Sequence, residues 1–413
     1  MLTDYLKYYK DMREDKLMKY DFDSVINRRG TDSLKWNVKD NELPMWVADM
    51  DFMAAPEILE GIRTRLDHGI MGYPVIPDEW YEAYIGWWSN RHDFKMNRES
   101  LLFCAGVIPA VSSMIRAFTE PGDKVLIQPP VYNCFFSIIK GNERVVSENP
   151  LIYNDGAYKM DLADLERKMS DPDTKLMILC NPHNPAGILW GKEDLKAVGE
   201  LADKHGVTVI SDEIHCDLTE PGRSYIPFAS VSDICAKVGI DCIAPTKAFN
   251  IAGLKTAAVY AADQDLRETV KKAFDTDELS EANGFASVAA VTAFNKGGAW
   301  LDELRDYISE NKKSVRSFLE EEVPAIKAVK GEATYLIWLD ISGLGKDVSQ
   351  FGSFLRNQTG LFLSPGIIFG EQGKNFLRMN VACPKSVLED GLARLKKGAL
   401  EWMNKNCTSV DKF

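Results

Sequence analysis

The chain has no C-x-x-C pair, no H-x-x-x-H spacing and only five histidines in 413 residues. The ligand patterns of structural and hydrolytic zinc sites are therefore missing, and no metal is expected. Eight cysteines (Cys104, Cys134, Cys180, Cys216, Cys235, Cys242, Cys383 and Cys407) are scattered, several of them inside apolar runs. They read as small buried hydrophobes of a reducing compartment, not as a disulfide framework. Basic charge is in deficit, with 49 Lys and Arg against 61 Asp and Glu and a net charge of −12. Such a surface repels phosphate backbones, so nucleic acid is not expected as a partner. No run approaches the length of a bilayer span; 284-GFASVAAVTAF-294 is too short and too rich in small residues. The opening stretch MLTDYLKYYKDMREDKLMKYDF carries charges every few residues and is expected to be neither a secretory signal nor a membrane anchor. A cytoplasmic protein is the expectation.

What is present is an alternation of periodicities. After 105-AG, Val111, Met114, Ile115 and Phe118 recur as one face of a helix, which Glu120-Pro121-Gly122 stops. Short apolar runs follow at 124–128, 175–180, 207–211, 242–245 and 257–261, the texture of strands buried on both faces. Leu195, Val198, Leu201 and Ala202 line another helix, ended by Gly206. Strand–helix–strand alternation predicts an α/β fold with a mainly parallel sheet covered by helices on both sides. From about residue 296 the texture changes to a long charged helix (301–322), the run 335-YLIWLDI-341, another helix and an amphipathic stretch near 386–404. This predicts a large domain over 56–296 and a smaller α+β domain built from 1–55 together with 297–413.

In open α/β sheets, ligands bind beyond the carboxyl ends of the strands. Five such positions carry polar or special-geometry residues: 105-AGVIPA, 129-PPVYNCF, 181-NPHNPAG, 211-SDEIHCD and Thr246-Lys247. A helix starting at Gly106, Val107 and Ile108 offers free N–H groups and a positive dipole end to a phosphate. Asp212 can hold a cationic ring nitrogen or simply cap a helix. Tyr132 can stack on a flat ring or pack. Asn184, between two prolines, can donate to a phenolic oxygen or close a turn. His215 can join Asp212 in a site or be structural. Lys247 stands among apolar neighbours in 244-APTKAFNIAGLK-255, where low dielectric disfavours its charged form and makes the amine a nucleophile able to form a Schiff base. Acid, phosphate seat, stacking ring and nucleophilic lysine together fit pyridoxal 5′-phosphate.

The runs NPHNPAG, SDEIH, PTKAFNIAGL and FLRMN resemble the fold-type I pyridoxal-phosphate enzymes of the class I/II aminotransferase superfamily. More narrowly, 43-LPMWVADMDF-52, 71-MGYPV-75, 105-AGVIPA-110, 211-SDEIHCD-217 and 377-LRMNVACP-384 are similar to the MalY/PatB group of cystathionine β-lyases. The resemblance spans essentially the whole chain and implies a large-domain sheet of the seven-stranded type. It implies that Lys247 holds the cofactor and shuttles a proton, and that Asp212 pairs with the pyridine nitrogen. Tyr132 would stack on the ring, Asn184 would meet its phenolic oxygen, and His215 would sit beside Asp212. Gly106, Val107, Ile108, Thr246 and Lys255 would seat the phosphate, with Tyr73 reaching the phosphate of a neighbouring subunit in a homodimer. Arg378 would clamp the substrate carboxylate, with Trp46 and Ala48 near the substrate. Departures are few: Thr246 stands where Ser is commoner, Ala248 where Thr is commoner, Lys255 where Arg is common, and no aromatic precedes Gly72.

The implied activity is β-elimination of cystathionine or related S-substituted cysteines to a thiol such as homocysteine, pyruvate and ammonia. Transamination needs the same site residues and stands as the alternative. A cofactor-containing regulatory or binding protein is a third, minor reading.

Overall fold

The computed structural model of the chain describes residues 19–407, so the charged opening stretch up to residue 18 and residues 408–413 lie outside it, as does the side chain of Cys407. Seven strands make the central sheet: β1 (Leu101–Cys104), β2 (Lys124–Ile127), β3 (Val145–Glu148), β4 (Thr174–Cys180), β5 (Thr208–Asp212), β6 (Gly239–Ile243) and β7 (Ala257–Tyr260). Their order is β1-β7-β6-β5-β4-β2-β3. β7 runs antiparallel to both neighbours, and every other pair is parallel. The mainly parallel α/β sheet expected from the alternation of periods is thus present. β3 was not among the runs expected as strands, because an edge strand reading V-V-S-E, with Val145 exposed, lacks the double-sided apolar signal.

The apolar runs are explained by what covers each face. Along β4, Leu176, Ile178 and Cys180 pack on one side with Val111 and Met114. Met177 and Leu179 point to the other side, among Leu195, Val198 and Ala202. Side chains alternate with period two, so a strand covered twice must be apolar throughout. The helix Val107–Phe118 ends before the Pro-Gly turn. Lys192–His205 ends at Gly206, whose φ of 68° is a left-handed cap.

A second sheet contains β8 (Lys327–Ala328), β9 (Leu336–Asp340), β10 (Ser364–Pro365) and β11 (Phe376–Asn380), in the antiparallel order β8-β9-β11-β10. Ile337, Leu339, Leu377 and Met379 pack against Val315 and Leu319 of the helix Gly298–Glu322 and Leu388 and Leu392 of the helix Lys385–Cys407. By the same period of two, Arg378 and Asn380 emerge on the opposite face of β11. The early residues divide their contacts. Leu43 and Met45 join this second core. Tyr20, Phe22, Met50 and Phe52 pack instead with Trp80, Tyr84 and Trp300 beside the large sheet. Among the described residues no helix is long and apolar enough to cross a membrane.

Candidate active site

The sheet order determines which post-strand turns meet. β6, β5 and β4 are adjacent, and their carboxyl ends deliver Thr246-Lys247, Asp212 and Asn181–Asn184 respectively. Asp212 lies opposite Cys180 on one side and Cys242 on the other. Gly106 follows β1 with φ of 140°, a conformation open to glycine, and Val107 starts the helix. β1 pairs with β7 so that Cys104 faces Ala257. Lys255, exposed and at φ of 50°, lies two residues before the start of β7, the strand that pairs with β1.

Lys247 is held from behind and in front. Phe249, fully buried, packs against Trp87 and Trp300. Asn250 ties the next residue to the early segment, bonding Met50 and Phe52 main-chain groups. Lys247 keeps some exposure to the cleft, yet burial pushes its amine down to about 8, and the Arg378 guanidinium pushes the same way; Asp49 and Asp212 oppose. Its Nζ donates to the main-chain oxygen of Ala48 at 2.6 Å. Asp212, nearly inaccessible, has its carboxyl raised to about 6 by burial, against a hydrogen bond from Ile214 N at 3.2 Å and the charge of Lys247. Burial, then Lys247 and Arg378, depress His215 to about 3, so its imidazole is neutral. Burial also raises the Tyr132 phenol, which stays protonated beside Cys134, Asp212 and Arg378.

Arg378 crosses from the second sheet into this cleft. Its Nη1 donates to Asn184 Oδ1 at 3.0 Å and its Nη2 to the Trp46 carbonyl at 2.9 Å. Its guanidinium lies 4.8 Å from the Phe369 ring centre. Burial lowers it to about 10, so it remains charged near neutrality. Trp46 stacks on Phe362 at 4.8 Å, and Ser364 Oγ also donates to the Trp46 carbonyl at 2.9 Å.

Lys247, Asp212, His215, Tyr132, Asn184, Arg378, Trp46 and Ala48 therefore converge. Tyr73 does not: it is fully exposed on an irregular segment with Ile70, Met71 and Val75, also exposed. Sequence reasoning missed Tyr335 and Asn380, which touch the segment 46–49, as does Ser364, the first residue of the stretch 364–372 that the sequence offers as a specificity loop. Asn380 had a legible signal, since it follows Arg378 by two and shares its strand face. Tyr335 had none beyond its place in an apolar run. The absence of a local His/Cys cluster concealed a spatial one: His92, Cys216 and Asp217 set ligand atoms within 4.8 Å of one another. His92 Nε2 and Trp87 Nε1 each lie 2.9 Å from Asp217 Oδ1, so hydrogen bonding accounts for the His92–Asp217 pair within that trio.

Of the seventeen buried side-chain atoms without a hydrogen-bond partner among the described residues, two, Arg378 Nε and His215 Nδ1, belong to this cleft. Buried polar atoms seldom stay unpaired, and an anionic, hydrogen-bonding ligand would satisfy them. With an acid, a lysine, an aromatic ring and a helix start around one cleft, the residues fit pyridoxal 5′-phosphate.

The model of the aminotransferase class I and II family matches residues 47–395. The chain belongs to this family. Within it, the chain is 46% identical over 382 residues to the cystathionine β-lyase PatB of Bacillus subtilis, covering 91% of this chain and 98% of the relative. It is 33% identical over 384 residues to the protein MalY of Escherichia coli, covering 91% and 98%. Cystalysin of Treponema denticola, whose crystal structure contains pyridoxal 5′-phosphate, superposes with a TM-score of 0.90 at 35% identity, covering 93% of this chain and all of that one. The family resemblance read from the motifs, its MalY/PatB branch and the fold type I architecture all hold.

Proposed function

We propose that the chain is a pyridoxal-phosphate-dependent carbon–sulfur β-lyase that cleaves cystathionine or related S-substituted cysteines to a thiol, pyruvate and ammonia. The observation that carries this reading is the 46% identity with PatB across 91% of the chain, joined to a cleft in which Lys247, Asp212 and Arg378 meet. When bound, the cofactor supplies an electron sink for the carbanion formed at the substrate α-carbon. The protein does the rest. Arg378 binds the α-carboxylate through its planar fork, in competition with Asn184 and the Trp46 carbonyl. Lys247, with an amine near 8, takes the α-proton as general base. Asp212 holds a proton-bearing ring nitrogen by charge. Tyr132 would stack on the ring and His215 would sit beside Asp212, both neutral. Gly106, Val107, Ile108, Thr246 and Lys255 form the phosphate seat, and Asn184 uses its amide donors on the ligand while its oxygen faces Arg378.

The active unit in this reading is a homodimer. Fully exposed Tyr73, amid Leu66, Ile70, Met71 and Val75, supports it, because so much apolar surface on one segment invites a partner. Tyr73 would then reach the second copy's phosphate. We also infer a domain division at 56–296 against 1–55 with 297–413, supported by the two separate sheets and by Leu43 and Met45 in the second core, while Tyr20, Phe22, Met50 and Phe52 lean on the large sheet, and a cytoplasmic location, supported by seven free cysteines among the described residues.

The test is direct. Purified protein incubated with cystathionine should release free thiol and pyruvate in equal amounts. Amination of a 2-oxo acid without thiol release would make the chain an aminotransferase instead. A visible absorbance band, erased by borohydride and missing in Lys247→Ala, checks the cofactor and its lysine; an intact band without turnover on either substrate class would leave the regulatory reading.

A further inference from the structure

The segment 46–50 lies across the cleft, and its main-chain carbonyls are taken up one after another. Asn380, 1% exposed, spends both amide hydrogens on it: Nδ2 donates to Val47 O and to Asp49 O, each at 2.6 Å. The Asn380 N–H donates to Met45 O at 2.9 Å, and its Oδ1 accepts from Ala382 N at 2.8 Å, so all three of its N–H donors are spent. Between the two carbonyls that Asn380 holds stands that of Ala48. It meets Lys247 Nζ at 2.6 Å and the hydroxyl of Tyr335 at 2.9 Å.

We propose that Asn380 and Tyr335 are positioning residues for Lys247, acting through the main-chain carbonyl of Ala48, which they fix in place as the resting acceptor of the free lysine amine. This rests on the reading that Lys247 carries the cofactor and the proton. A neutral amine has two N–H donors and one lone pair. Donating one hydrogen to a fixed carbonyl restricts rotation about the terminal bond and leaves the lone pair to face the cleft. A carbonyl oxygen has two lone pairs, so it serves both Lys247 and Tyr335. Tyr335 can only donate to it, because burial keeps its phenol protonated. A carbonyl dipole against the amine also favours the ammonium form, so losing it should lower the amine further. The charged and titratable groups facing Lys247 are Arg378, Asp49, Asp212, Cys134 and His215. Tyr335 lies among them, its ring 6.1 Å from that of His215 and its phenol facing Asp49 and Arg378, so Tyr335→Phe keeps the ring in place and removes only the hydroxyl.

The experiment uses Tyr335→Phe and Asn380→Ala in the full chain. Both should lower kcat about 10- to 100-fold, the scale of a misplaced catalytic group, with KM little changed and the visible cofactor band unmoved. A second readout is independent of turnover. The rate at which cofactor-depleted protein takes up pyridoxal phosphate, followed by that band against pH, should have its midpoint shifted to lower pH in both variants. Wild-type kcat and an unmoved midpoint in both variants would overturn the inference, as would losses that appear only in KM. Should Asn380→Ala fail to fold, Tyr335→Phe decides alone. A wild-type chain that takes up no cofactor fails the Lys247 reading itself; normal uptake with unaltered variants fails only the positioning roles.

Discussion

Arg378 Nη1 donates to Asn184 Oδ1 at 3.0 Å, and that bond joins the strand β11 of the smaller sheet to the loop that leaves β4 of the larger one. The two residues are 194 positions apart in the chain. A group that would bind substrate and a group that would bind cofactor thus hold each other, and neither can shift alone.

Arg378→Ala should leave cofactor binding intact and weaken substrate capture. A carboxylate bound by a charged two-point hydrogen bond loses about 3 kcal/mol or more on truncation. That corresponds to roughly 10²-fold in kcat/KM, mostly in KM. Steady-state kinetics with the absorbance spectrum alongside checks it. Loss of the band would show that Arg378 holds the cofactor instead.

Asp212→Asn should separate stability from function. The carboxyl moves from 3.8 to about 6 on folding because it is buried. Between those values the folded chain binds more protons there than the unfolded chain does. Stability therefore falls as pH rises through that window, and the cost persists above it. At about 1.4 kcal/mol per unit the cost is about 3 kcal/mol in cofactor-free protein. The amide variant should be more stable than wild type above pH 6 without cofactor, by thermal melts, and should gain less when cofactor is added. Equal melting of the two across pH would refute the buried-charge account.

His215 should not titrate in the working range. With its imidazole depressed to about 3, a His215→Gln enzyme should be slower, yet its kcat/KM profile should keep the same limbs between about pH 5 and 9. A limb that disappears with the imidazole would mean that His215 carries a proton in the cycle.

Gly297→Ala should loosen the lysine segment from a distance. The backbone at Gly297 is ordinary, with φ of −84°. The added methyl would lie 2.5 Å from Phe249 Cε1 and 2.6 Å from the Ala293 carbonyl oxygen. Overpacking of this kind costs about 1–3 kcal/mol. Because Phe249 anchors the turn two residues after Lys247, cofactor retention on dialysis should fall along with the melting temperature. An unchanged melting temperature would show that the space can adapt.

Local pattern was enough to specify the strands buried on both faces, the glycine at Gly106 and the ordered procession of polar turns after them. It did so because period-two burial, turn chemistry and the family's short motifs are local properties of the chain. Lys247, Asp212 and Asn184 were legible for that reason. Arg378 was carried by family resemblance, and Tyr335 escaped notice because a tyrosine in an apolar run has the pattern of packing. The meeting of the two sheets is what lays segment 46–49 across the cleft with its carbonyls offered to Lys247, Arg378, Tyr335 and Asn380. Main-chain carbonyls are the same at every residue and leave no mark in the sequence; which of them faces a catalytic group depends on how two sheets, far apart along the chain, are brought together.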